Sequence, residues 1–125
     1  MKLNNRRLVE NSKALGEVSK KQLPVKVSYA IAKNIAKIES LLKIYNKEKD
    51  KLIEKYGEKD EKNEFVIENG GIKLKEGTKK DWNNDLETLL DIENEVEIHK
   101  FKFDEIANVQ ISPAELQAID YMIEE

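Results

Sequence analysis

The sequence predicts a mostly helical α+β chain: a long heptad-patterned helix with partner helices, a β-hairpin, and a short C-terminal strand and helix. Three observations predict it. Positions Ile31, Ile35, Ile38, Leu42, Tyr45, Lys49, Leu52 and Tyr56 are spaced 4, 3, 4, 3, 4, 3 and 4, the repeat that keeps one seam of a helix facing a partner. Asn69-Gly70-Gly71 separates Phe65-Val66-Ile67 from Ile72-Lys73-Leu74, and Asn-Gly between apolar runs is a strong short-range hairpin signal. Ser112-Pro113-Ala114-Glu115 combines a capping hydroxyl, a proline at the first helical position and a glutamate at the third.

In chain order, Asn4 or Asn5 caps a first helix that runs to about Lys21, with Leu8, Leu15 and Val18 as a narrow apolar stripe beside small Ala14 and Ser12. Gly16 weakens that helix or lets another approach it closely. Leu23-Pro24 breaks the pattern and starts the second helix, which spans about 24–56 and stops at Gly57. Val27, Leu41, Ile44 and Ile53 widen its stripe. The mixed-charge run 46–62 reads as a solvated face with the loop beyond it. The hairpin covers 64–75. Thr78 caps a third helix over about 79–94, with Trp82, Leu86, Leu89 and Leu90 on its face. Residues 95–103 are the remaining strand. Leu116, Ile119, Met122 and Ile123 give the last helix its apolar side.

With 125 residues, 39% apolar and 38% charged, the chain is expected to form one domain over 1–125 with a thin core. Such a core favours further burial against a second copy. A homo-oligomer, most simply a dimer, is therefore expected, with Ile31, Ile35, Ile38, Leu42, Tyr45 and Leu52 in its interface. The net charge of -3 hides an asymmetry: residues 1–45 hold 10 basic and 3 acidic side chains, whereas 63–125 hold 6 and 16. The chain thus divides into a basic helical half, 1–62, and an acidic hairpin-helix-strand-helix half, 63–125. The basic part suits a phosphate-bearing ligand, an acidic protein, or the chain's own acidic half.

The absence of cysteine excludes a disulfide framework, thiolate ligands and a cysteine nucleophile, and suits a reducing cytoplasm. The start, Met1-Lys2-Leu3-Asn4-Asn5-Arg6-Arg7, has no apolar run after its charges, so no secretory signal is expected, and no stretch reaches membrane-spanning length.

His99 is the only histidine, so no histidine metal pair exists, and it is the only imidazole available as the base a serine nucleophile needs. Ser12, Ser19, Ser28, Ser40 and Ser112 lack the strand-turn-helix glycine setting of a nucleophile elbow. Asp81 and Asp85 lie one helical turn apart, but without calcium-loop spacing they read as a solvated face. Gly70-Gly71 is a hairpin tip, since no Gly-Lys-Ser/Thr follows. No metal, no cofactor and no enzymatic activity are expected. Lys20, Lys21, Lys26, Lys33 and Lys37 gather around the start of the second helix, with Tyr29 among them and Lys33 four residues after it. Lys26, Tyr29, Lys33 and Lys37 are the expected partner-binding residues: a helix N-terminus favours anions, and Tyr29 can stack on a base. Sequence-specific DNA binding is not expected, since arginine is limited to Arg6 and Arg7.

The stretch Leu23-Pro24-Val25-Lys26-Val27-Ser28-Tyr29-Ala30-Ile31-Ala32-Lys33-Asn34, the later Lys51-Leu52-Ile53-Glu54-Lys55-Tyr56-Gly57 and the closing Ile111-Ser112-Pro113-Ala114-Glu115-Leu116 resemble a family of short proteins from phages and prophages of low-GC Gram-positive bacteria. The resemblance covers most of the chain and assigns no activity to particular residues. It implies a phage origin and an accessory role in the host cell cytoplasm: a non-enzymatic protein that binds and neutralises a host antiviral defence component, either a protein or a nucleotide signal. The alternative is a structural or assembly factor in which the long helix and hairpin act as a chaperone-like coiled-coil clamp.

Overall fold

A computed structural model describes residues 1–124. Its elements, in order, are β1 (Lys2–Asn4), α1 (Asn5–Ser19), α2 (Val25–Tyr56), β2 (Ile67–Glu68), β3 (Gly71–Ile72), α3 (Lys79–Leu90), β4 (Glu93–Glu95), β5 (Phe101–Lys102), α4 (Pro113–Ile119) and β6 (Ile123–Glu124). The mostly helical α+β class, the long helix, the hairpin and the C-terminal strand and helix are all present. Two compact units form: Met1–Leu42 together with the chain from Glu93 onward, and Lys43–Ile92. Packing thus follows different lines from the charge division at residue 62. No helix among the described residues is long and apolar enough to cross a membrane.

The first unit is built on capped helices and one apolar core. The Asn4 side chain accepts a hydrogen bond from the Arg7 backbone N–H at 2.9 Å, which satisfies one of the donors left over at the start of α1. The Pro24 carbonyl accepts the first helical bond of α2 from Ser28, so the proline stands just ahead of the first turn, where its missing N–H costs nothing. At α4, Glu115 N–H donates to the Ser112 hydroxyl at 3.2 Å and Ser112 N–H donates to the Glu115 carboxylate at 2.9 Å. This reciprocal capping box is the one the Ser-Pro-Ala-Glu spacing predicts. Leu8 and Val18 of α1, Val27 and Ile31 of α2, and Ile119 and Met122 near the end of the chain are buried in one cluster. In α4, Ile119 is fully buried as its apolar pattern suggests, but Ala118 is buried beside it while Leu116 stays exposed.

Two strands replace expected features. The third helix ends at Leu90 rather than near Asn94, because Glu93–Glu95 pairs antiparallel with Lys2–Asn4. Asn94 reinforces that pairing by donating to the Leu3 carbonyl at 3.0 Å and to the Asn5 side chain at 2.9 Å. The strand expected over 95–103 narrows to Phe101–Lys102, paired parallel with Ile123–Glu124. Val96 still donates to the Met1 carbonyl, and the backbone beyond it is held by side chains of α2 instead of by a ladder. Asn34, fully buried, donates to the His99 carbonyl and accepts from the His99 N–H, both at 2.8 Å, and the Lys37 ammonium donates to the Glu97 carbonyl at 2.7 Å.

The second unit joins the end of α2 to the hairpin and α3. Ile67 faces Ile72 and Glu68 faces Gly71. Asn69 and Gly70 between them have φ of 53° and 80°, the left-handed pair that a two-residue hairpin loop of matching twist requires. The chain leaving α2 runs beside this hairpin: Glu58 N–H donates to the Lys73 carbonyl and Val66 N–H donates to the Glu58 carbonyl. At Gly57, just past the end of α2, glycine is needed for a steric reason rather than for a left-handed turn. A Cβ there would lie 2.6 Å from the Ile53 carbonyl oxygen and 2.8 Å from the Phe65 ring. Thr78 precedes α3 without capping it; its hydroxyl donates to the Lys75 carbonyl.

Candidate functional site

The first turns of α2 present a basic and apolar surface on the first unit. Val25 and Tyr29 are 85% and 61% exposed, and four residues apart on a helix they share one side. An apolar residue at the very start of α2, off the seam and beside Lys26, is the signal that marks Val25. Lys33 follows one turn after Tyr29 and its ammonium lies 4.9 Å from the centre of the Tyr29 ring, a cation–π arrangement. Lys26 is exposed next to them. Lys37 belongs elsewhere: it is spent on the Glu97 carbonyl. Lys21 is likewise drawn away, to the Glu115 carboxylate at 3.3 Å. The structure therefore brings Tyr29 and Lys33 together, leaves Lys26 exposed beside them, and assigns Lys37 to holding the 96–100 backbone. What the surface can do chemically is bind. It supplies an apolar centre, an aromatic ring and two ammonium groups suited to carboxylates or phosphates.

Of the seam residues, Ile31 and Ile38 are buried within the first unit's own core, with Ile35 and Leu42 packed partly buried against it. Tyr45 is buried and Leu52 half-buried in the second unit.

In the second unit the Tyr56 hydroxyl donates to the Asp85 carboxylate at 2.5 Å, and the Trp82 ring meets Tyr56 edge-on at 6.3 Å between centres. That hydrogen bond, helped by burial, pushes the Tyr56 hydroxyl above its ordinary range, because a tyrosinate beside a carboxylate is disfavoured. The Lys55 ammonium is also pushed up, chiefly by its interaction with Tyr56 and by the nearby Asp85. Asp85, which looks like part of a solvated face in the sequence, is thus the anchor between α2 and α3. Nothing in the local pattern points to Tyr56 as its partner, since 29 residues separate them. Among the described residues no three His, Asp or Glu side chains converge as a metal-binding group. Comparison of the chain with protein-family models, curated proteins and solved structures finds no match.

Proposed function

We propose that this chain is a non-enzymatic binding protein whose contact surface is the start of α2, centred on Val25 and Tyr29 and flanked by Lys26 and Lys33. The observation that carries the reading is the exposure of Val25 and Tyr29, at 85% and 61%, on one side of a helix anchored in the first unit's core. An isolated exposed apolar residue needs no explanation, but an aliphatic and an aromatic residue stacked between lysines have the make-up of an interface centre. Val25 favours a protein partner over a nucleotide, because an aliphatic side chain adds little to the recognition of phosphate or base. The partner is an acidic protein surface with an apolar centre. In the phage setting that the resemblance implies, it is a host antiviral defence component, blocked by occupation in the host cytoplasm.

The test is expression of the chain in a low-GC Gram-positive host carrying defence systems, with plaque formation as the readout. The chain should raise plaque counts, and its effect should scale with the amount of protein rather than with time. Val25→Ser combined with Tyr29→Ala should remove most of the effect while the circular dichroism spectrum and melting midpoint stay unchanged, because both side chains are exposed. Full activity in that double variant, or progressive loss of the target at substoichiometric protein, would overturn the reading.

A further inference from the structure

The seam running from Ile31 to Tyr56 has one charged member, Lys49. A lysine at such a position weakens the packing that the seam otherwise provides. The structure opens a cleft there, of about 280 Å³, within the second unit. Ile53 of α2, Ile72 and Leu74 of the hairpin arm and Trp82 of α3 form its apolar walls, and Lys49 completes the lining. In the same unit Lys51 pairs with Glu48, Lys55 with Asp85, Lys59 with Glu54 and Lys73 with Glu58, and the lysines other than Lys49 that form no ion pair among the described residues, Lys43, Lys47, Lys62, Lys75, Lys79 and Lys80, are all exposed. Lys49 is half-buried and forms no ion pair among the described residues. Its neighbours one turn away in either direction, Tyr45, Asn46, Leu52 and Ile53, carry no charge. A cation without a counter-ion therefore faces an apolar wall, at the one place where the helix gives up an apolar seam residue.

We infer that this cleft binds a small organic carboxylate. The apolar body of the ligand lies against Ile53, Ile72, Leu74 and Trp82, and its carboxylate accepts a hydrogen bond from the Lys49 ammonium. A carboxylate meets Lys49 with the charge the protein does not provide, and a charge-assisted bond in a partly dry setting is stronger than the same bond in water. The volume sets the size. It is about twice the ~150 Å³ of an apolar cavity that admits benzene, enough for one ring and a short aliphatic arm. The site is separate from the surface at the start of α2 and stands or falls independently of it.

Trp82 is the only tryptophan of the chain, so its fluorescence reports directly on the cleft. Phenylbutyrate and its neutral counterpart phenylbutyramide are titrated against the full chain and against Lys49→Gln. The acid should give a saturable change and bind about tenfold more tightly than the amide. Lys49→Gln should remove that advantage while leaving the amide's affinity where it was. Lys49→Leu restores an apolar seam, so it should raise the melting midpoint and abolish binding of the acid, a gain in stability at the expense of the ligand. The inference is overturned if acid and amide bind the parent chain alike, if neither gives a saturable change at millimolar concentration, or if Lys49→Leu lowers the midpoint.

Discussion

Along α2 the same apolar spacing has two different outcomes. In the first unit Ile31 and Ile38 are each 2% exposed, enclosed in a cluster that also takes in Leu3, Leu8, Val18, Ile119 and Met122. In the second unit Tyr45 and Tyr56 are buried at the two ends of the seam, but Lys49, Leu52 and Ile53 between them are only half-buried, and α3 has no buried residue. What differs is the supply of partners. The first unit brings apolar side chains from both ends of the chain onto α2. The second brings a short hairpin and a helix that meet α2 through Tyr56, Trp82 and Asp85. A heptad pattern therefore specifies a helix and the side it presents, but not how completely that side is covered. The first unit holds the larger buried apolar cluster, and the second keeps an open cleft.

The largest expected effect tests that contrast. Ile38→Ala should destabilise the chain by about 3 kcal/mol, the usual result of removing a fully buried branched side chain. Leu52→Ala, on the same seam but half-buried, should cost about 1 kcal/mol. Urea unfolding followed by circular dichroism checks both, and equal losses would show that the two halves of α2 are packed alike.

A smaller effect should stay within the second unit. Gly57→Ala places a methyl group against the Ile53 carbonyl and the Phe65 ring, which should cost about 2 kcal/mol. Because the strain lies where α2 meets the hairpin, hydrogen exchange should accelerate at the amides of Glu58, Val66 and Lys75, which bond across that junction. The His99 amide, held by Asn34 in the first unit, should keep its protection. Equal acceleration at both places would mean that the units open together.

These contrasts explain how much the sequence discloses. Local chemistry was legible: the Asn4 and Ser112 caps, the Asn69-Gly70 turn and the course of α2 each follow from residues within a few positions of one another. Pairings between distant segments were not. Nothing around Lys2–Asn4 or Glu93–Glu95 alone announces that they form a ladder, and a helical reading of Glu93-Asn94 was as good locally. Asn34 is the instructive case. It stands between Ile31 and Ile38 on the buried side of α2, and a polar residue there signals a buried partner. Only the fold identifies that partner as the His99 backbone. In the site, Lys26, Tyr29 and Lys33 could be read from charge clustering and helical spacing. The diversion of Lys37 to Glu97 could not, since it depends on which backbone passes over α2 some 60 residues later.

The smallest expected effects lie in pH, and they separate the units by sign. In the first unit the Ser112 backbone N–H, followed by the Ser112 hydroxyl and Lys21, holds the Glu115 carboxyl below the usual glutamate range despite partial burial. A carboxyl depressed in the folded state contributes stability above its unfolded value and loses it as pH falls through the folded one. Glu115→Gln should therefore be less stable than the parent at neutral pH, and the gap should close as pH drops below about 4. In the second unit the Asp85 carboxylate raises the Tyr56 hydroxyl. A group raised in the folded state contributes stability below its unfolded value and loses it as pH climbs through the folded one. Tyr56→Phe should therefore trail the parent throughout the neutral range, and that gap should close only above about pH 10. Denaturant midpoints of the parent and both variants from acid to alkaline pH give the result. Glu115→Gln should change the acid limb and leave the alkaline limb as in the parent, and the alkaline limb should change in Tyr56→Phe. If Glu115→Gln altered the alkaline limb as well, the capping box and the Tyr56–Asp85 pair would be energetically linked, and the two units could not be treated as separately held.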